Sequence, residues 1–242
     1  MQTIGGYGPF RLDPYFSFSD FSKWGQGHNA GFAACIEACR GRKCVLDVGA
    51  HIGLVALPAA SVLDPSGTLV AFEPSGANRA MLERNVALNG LSDRVRVAPL
   101  LVGASERNDA IIYELDEPSG MNSVAGGVQK EARRTVVAQT TLDSFCARHA
   151  LAPEVVKIDV EGAELDVLAG AREVMARYRP SIFLSVHPRQ IATLGRTMDQ
   201  LMELIASAGY DCREIDGAPV TSFALKEYRL TPRQDVARAS MA

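Results

Sequence analysis

Four short apolar runs, KCVLDVG, GTLVAFEP, VVKIDVEG and SIFLSVHP, each stop at an acidic, histidine or glycine-marked end. Runs of this length, apolar at successive rather than alternate positions, suit strands covered on both faces. Between and after them lie stretches with helical spacing at residues 29–40, 54–62, 77–88, 163–177 and 198–208. Strands alternating with helices require crossover connections, hence a doubly wound, mainly parallel α/β sheet. Ligands of such sheets sit beyond the carboxyl ends of the strands, where strand order reverses. The informative residues are therefore those that close each strand.

The rest of the chain fits around this frame. A third strand is expected at 95–102, Asp143 as the cap of a short helix, and two closing strands at CREID and ALKEYRL. Residues 1–40 form an aromatic, glycine-rich segment and a helix, placed to cover an acceptor site, and 41–230 form the main domain. Within it, 103–140 break the rhythm with short polar–apolar alternations and the turn EPSGMNS, as an inserted hairpin or lid would. Residues 231–242 read as a loose tail.

With 242 residues, 47% of them hydrophobic, the chain can bury one sizeable core. A net charge of −3, with both signs interspersed, leaves no electrostatic footprint for nucleic acid, so a small-molecule or glycan acceptor is expected. The longest apolar run, 53–63, is interrupted by Pro58 and too short to insert in a membrane. The opening residues lack a basic-then-apolar leader, and a cytoplasmic location is expected. Five cysteines suit a reducing compartment. Cys35, Cys39 and Cys44 miss the C-x3-C-x2-C spacing of cluster-binding radical enzymes and read as small hydrophobes. Oligomeric state, a homodimer included, is left open by the sequence.

The first strand runs into LDVGAHIGL. A dinucleotide loop needs G-x-G-x-x-G for close approach to a pyrophosphate. Here Gly49-Ala50-His51-Ile52-Gly53 carries an imidazole at the middle position, and Asp47 places a negative charge where phosphate would lie. S-adenosylmethionine has no phosphate and carries cationic groups, which Asp47 suits. Gly49 and Gly53 allow tight backbone approach. Glu73 closes the second strand, where a carboxylate accepts both ribose hydroxyls, and Pro74 ends that strand. The expected cofactor contacts are Asp47, Gly49, Ala50, His51, Gly53, Glu73, Pro74 and Asp159.

KIDVEG is the second dense patch. Strand alternation would turn Asp159 and Glu161 to one side, and His187, fixed by Pro188, closes the following strand. These three are the candidate catalytic residues for methyl transfer to a hydroxyl. His187, with an ordinary pKa of about 6.5, would serve as general base. Alternatively, Asp159 and Glu161 would hold Mg2+ to acidify the hydroxyl. Lys157 is expected to pair with a carboxylate, and His149 to lie at the surface.

The series VLDVGAHIGL, AFEPSGANRAMLERNVALNG, GMNS, TLDSF, VVKIDVEGAELDVLAGA and SIFLSVHP resembles the FkbM family of S-adenosylmethionine-dependent methyltransferases. The resemblance implies a class I methyltransferase fold, Rossmann-like, with a seven-stranded sheet whose last strand is antiparallel. It also implies O-methylation of hydroxyls on sugars, glycolipids or related natural products. Asn122 and Ser123 match the family's asparagine–serine element, which closes over donor or acceptor. The family often has asparagine at the place of His51, and glutamate at the place of Ser185. The segment WGQGHN lies outside the shared core, and its Trp24 and His28 are expected to line an acceptor pocket, Trp24 stacking on a sugar face. Two other readings are an NAD-dependent oxidoreductase of similar topology and a non-catalytic adenosyl-binding protein.

Overall fold

The apolar runs become neighbouring strands of one sheet in the computed structural model, which describes residues 1–126 and 131–234. A small hairpin, β1 (Gln2–Ile4) and β2 (Tyr7–Phe10), opens the chain and is followed by helix α1 (Phe32–Cys39). Then come β3 (Cys44–Val48), α2 (Ala56–Val62), β4 (Thr68–Phe72), α3 (Gly76–Leu88) and β5 (Val95–Ala98). After an excursion, β6 (Leu101–Val102), β7 (Arg107–Glu114), β8 (Arg133–Thr140) and α4 (Leu142–His149), the chain returns to β9 (Val155–Ile158). It continues through α5 (Glu164–Ala169), α6 (Arg172–Tyr178), β10 (Ser181–Val186), α7 (Pro188–Thr193), α8 (Met198–Ser207), β11 (Tyr210–Glu214) and β12 (Lys226–Pro232).

The main sheet has seven strands in the order β11-β12-β10-β9-β3-β4-β5. β3, β4, β5, β9 and β10 are parallel, and β12 is antiparallel to both β10 and β11. This is the class I methyltransferase arrangement. Strand order reverses between β3 and β9, so their carboxyl ends, Val48 and Ile158, open onto the crevice where such sheets bind ligands. Alternation along the strands feeds two cores. Leu46, Val48, Val70 and Phe72 face Phe145, Leu168 and Ile205, whereas Val45, Leu69 and Ala71 face Phe32, Ile36, Leu57 and Leu82. Among the described residues, no helix is long and apolar enough to cross a membrane.

Five features differ from the sequence expectation. The strand expected at 95–102 stops at Ala98: Pro99 has no N–H to donate, and the chain leaves the main sheet to pair β6 with β8. The helix expected at 29–40 is shorter, a 3-10 turn at Gly27–Asn29 preceding it. The helix expected at 163–177 is two helices, broken at Gly170–Ala171. Asp143 does not cap its own helix. Thr141 does so by accepting from Ser144 N, while the Asp143 carboxylate accepts from Glu173 N at 3.1 Å and Val174 N at 2.8 Å, capping α6 instead. The tail expected to be loose from 231 is strand as far as Pro232, and residues 235–242 lie outside the described residues.

Asp143→Ala should lower the unfolding free energy by about 1 kcal/mol through loss of this cap. Urea denaturation measures it; an unchanged midpoint would show that the two hydrogen bonds contribute nothing.

Candidate active site

β3 delivers Asp47 to the crevice, β4 delivers Glu73, β9 leads to Asp159 and Glu161, and β10 leads to His187. Asp47 is 1% exposed, its Oδ2 finding no partner among the described residues, and burial pushes its carboxyl up to about 7, with Lys157 opposing and Asp159 adding. Glu73 is also buried. Its Oε2 accepts from His51 N at 2.8 Å and its Oε1 from Ser75 N at 2.9 Å. Burial outweighs these bonds and raises it to about 7. Each oxygen keeps a second lone pair for a ligand hydroxyl.

His51 adopts φ 51°. Histidine, like asparagine, tolerates this left-handed conformation better than most residues. Burial lowers its imidazole to about 4, so the ring is neutral, and its Nε2 has no partner among the described residues. The glycines are also required by the packing of the protein itself. A Cβ at Gly49, where φ is 83°, would lie 1.8 Å from the Asp159 carbonyl oxygen, and one at Gly53 would meet Leu82. At Gly53 the missing Cβ lets the βα turn pack closely on Leu82 of α3.

β9 ends at Ile158, so pleat alternation does not bring Asp159 and Glu161 together as expected. A left-handed turn at Glu161, φ 49°, does. His187 Nε2 lies 3.1 Å from Glu161 Oε1 and 3.5 Å from Asp159 Oδ1, and its Nδ1 is 2.7 Å from Glu164 Oε1. Burial alone would lower the imidazole, but the bonds to Glu161 and Glu164 and the charge of Asp159 prevail and hold it up at about 10. The three carboxylates thus hold a proton on this ring more tightly than a free imidazole would. Glu164, fully buried on the first turn of α5, was not singled out from the sequence, although it sits two residues past the KIDVEG motif.

Lys157 is 2% exposed and, as expected, paired. Its Nζ lies 2.7 Å from Ser185 Oγ, 3.1 Å from Glu227 Oε1 and 3.2 Å from Asp159 Oδ2. Burial would lower it, yet the charges of Asp159 and Glu227 raise it. Asp159, which burial would raise, is held low by Lys157. Glu227 is the β12 partner of Ser185, so a neighbouring strand supplies a carboxylate beside the position where the family often carries one. Its role needs the strand register and carries no local sequence signal.

Two cavities meet here. One is walled by Phe72, Glu73, Pro74, Asn78, Leu101, Ile112, Asn122 and Ser123. The other is walled by Trp24, His28, Asn29, Asp47, Ala50, Lys157 and His187. Gly49, His51, Gly120, Asp159 and Glu161 belong to both. Asn122 accepts from Leu115 N and leaves Nδ2 unpartnered among the described residues, while Ser123 Oγ donates to the Glu161 carbonyl at 2.5 Å. Asn78 clamps the roof, donating to Ser119 O and accepting from Ser119 N. His149 is exposed and packs on Phe145.

Residues 47–212 match the family described as the methyltransferase FkbM domain. The curated AMB antimetabolite synthetase AmbE of Pseudomonas aeruginosa is 31% identical over 205 residues, covering 69% of this chain and 9% of that protein. The crystal structure of methyltransferase FkbM from Methylobacillus flagellatus superposes with a TM-score of 0.52 at 19% identity, over 79% of this chain and 43% of that one. An O-methyltransferase from Bacillus cereus, solved in complex with SAH, gives 0.50 at 13% identity, over 86% and 82%. The chain thus spans less than half of the first two. The two structures show the class I methyltransferase fold.

The raised carboxyls set a pH dependence. With folded pKa values near 7 and unfolded values near 4, the folded chain holds these protons more tightly. Their contribution to stability is full below about pH 4 and lost as pH rises to about 7. Asp47→Asn with Glu73→Gln should therefore gain stability relative to wild type as pH rises through this window, measured by urea midpoints. A difference independent of pH would show that both groups titrate normally.

Proposed function

The chain belongs to the FkbM methyltransferase family, and from that premise we propose that it is an S-adenosylmethionine-dependent O-methyltransferase. Its acceptor is a hydroxyl of a sugar, an oligosaccharide or glycolipid, or a related natural product. The donor fits the residues present: Asp47 offers an unpartnered carboxylate to an ammonium, Glu73 has lone pairs for ribose hydroxyls, and Asn122 has a spare amide donor. Phe72, Leu101 and Ile112 offer an apolar slot for a purine. When bound, the donor supplies an electrophilic methyl on a sulfonium sulfur.

The observation that carries O-methylation is the pair Asp159 and Glu161 on the wall shared by both cavities. A carboxylate there accepts a hydrogen bond from an acceptor hydroxyl and takes its proton as the oxygen is alkylated. The same negative surroundings would hold an amine protonated and unreactive, which favours oxygen over nitrogen. His187, within reach of both, orients the two carboxylates. Holding the hydroxyl in line supplies much of the acceleration. On the acceptor side Trp24 offers an aromatic face to sugar C–H groups, and His28 and Asn29 offer polar contacts. Trp24, His28 and Asn29 bring the N-terminal segment to this side, and Ile112, Asn122 and Ser123 bring the insertion to the donor side.

The AmbE relative is named for an antimetabolite, which supports a small-molecule acceptor. Free thiols at all five cysteines suit the reducing, cytoplasmic setting. An oxidoreductase reading has no support from the family.

Incubation with S-adenosylmethionine and a panel of sugars and hydroxylated natural products should yield methyl ethers by mass spectrometry. Turnover with amines alone would overturn the oxygen assignment, and donor binding without turnover on any acceptor would favour the non-catalytic reading. Trp24→Ala should raise the acceptor KM roughly tenfold, for a stacking contribution near 1.4 kcal/mol, while affinity for S-adenosylhomocysteine stays unchanged. Asp47→Ala and Glu73→Ala should each weaken that affinity, read by calorimetry. Wild-type affinity in both would remove the donor assignment.

A further inference from the structure

We propose that Asp159, Glu161 and His187 form a divalent-cation site in which the imidazole is a ligand, and that the site takes Mn2+ in preference to Mg2+. One ligand atom from each residue lies within 4.8 Å of the others, His187 Nε2 being 3.1 Å from Glu161 Oε1 and 3.5 Å from Asp159 Oδ1. Adjacent ligands around a cation with bonds near 2.1 Å are separated by roughly 3 Å, so small side-chain adjustments would complete the face of an octahedron.

Each residue's other polar atom is tied down elsewhere. Asp159 Oδ2 accepts from Lys157 Nζ at 3.2 Å and Ser185 Oγ at 3.1 Å, and Glu161 Oε2 accepts from Gln190 Nε2 at 2.9 Å. His187 Nδ1 is held by Glu164 at 2.7 Å, an interaction that would keep the proton on Nδ1 and turn the Nε2 lone pair into the cluster. Metal-bound histidines are oriented by carboxylates in this way.

The same cavity carries a further buried acidic group beyond the cluster. Asp47, 1% exposed and on its wall, leaves Oδ2 without a partner among the described residues. Lys157 does not balance this surplus, because Glu227 already meets its charge at 3.1 Å. The nitrogen ligand chooses among cations. Mg2+ favours oxygen ligands and keeps its waters, whereas Mn2+, a softer and less tightly hydrated ion, accepts an imidazole beside carboxylates.

The role of the cation rests on the methyltransferase reading, since it would polarise the acceptor hydroxyl where both cavities meet; its binding does not. Mn2+ is titrated into the full chain without donor, and free ion is followed by electron paramagnetic resonance. The expected result is one Mn2+ per chain at micromolar affinity, with Mg2+ competing at least tenfold more weakly. Electron spin echo modulation of the bound Mn2+ in the wild-type chain should show 14N coupling, lost in His187→Ala. Glu164→Gln, with an unchanged circular dichroism spectrum, should weaken binding 10- to 100-fold.

Absence of Mn2+ binding, or binding without 14N coupling, overturns the site. A coupling that survives in His187→Ala does the same, since His28 or His51 would then be the source. Calorimetric titration of the same sample with S-adenosylhomocysteine separates the two readings. Nucleoside bound without Mn2+ keeps the methyltransferase and removes the cation; Mn2+ bound without nucleoside does the reverse.

Discussion

The ammonium of Lys157 lies almost wholly out of water, in contact with β10 and β12 from its place on β9. Taking such a charge into the interior costs several kcal/mol before any partner is counted. Glu227 and Asp159 recover that cost, and the Ser185 hydroxyl carries the hydrogen-bond chain from the ammonium to Asp159 Oδ2. Asp159 is thereby kept ionised with one oxygen committed and the other presented to the crevice. The surroundings of His187, the spacing of the carboxylates and the shared cavity wall all depend on this anchoring.

Around that anchor the chain departs from regular structure twice, and both departures fall on the shared wall. His51 and Glu161 are non-glycine residues with left-handed backbones, each carrying a modest conformational cost. Hydrogen bonds hold both. Glu73 receives the amide of His51, while Ser123 donates to the carbonyl of Glu161 and Gln190 to its side chain. The two turns aim an imidazole and a carboxylate at the same opening, which straight strands would have sent past one another.

The fold was legible because the strands are covered on both faces and so announce themselves as unbroken apolar runs. The strand-end rule then led to Asp47, Glu73, Asp159, Glu161 and His187 without any knowledge of contacts. What stayed hidden depends on distance along the chain. Glu227 matters through its register opposite Ser185, and Glu164 through the turn that folds α5 beneath His187. The protonation of His187 is a sum over three carboxylates that no short motif contains. Local signals misled where two uses of one residue compete. Asp143 looks like a cap and is one, but for the helix after next; Gly49 looks like room for a ligand and is also room for the Asp159 carbonyl.

β12 is the last strand of the described chain, yet it lies between β10 and β11 rather than at an edge. In chain order β12 follows both of its sheet neighbours, so the sheet is incomplete without it, and Glu227 comes with it. Until the strand slides in, Lys157 faces the interior with Asp159 as its only carboxylate partner among those that later hold it. The charge balance of the site therefore rests on the last strand of the described chain. A nascent polypeptide that already has every residue at the mouth of the crevice still lacks the counter-ion that sets their charges.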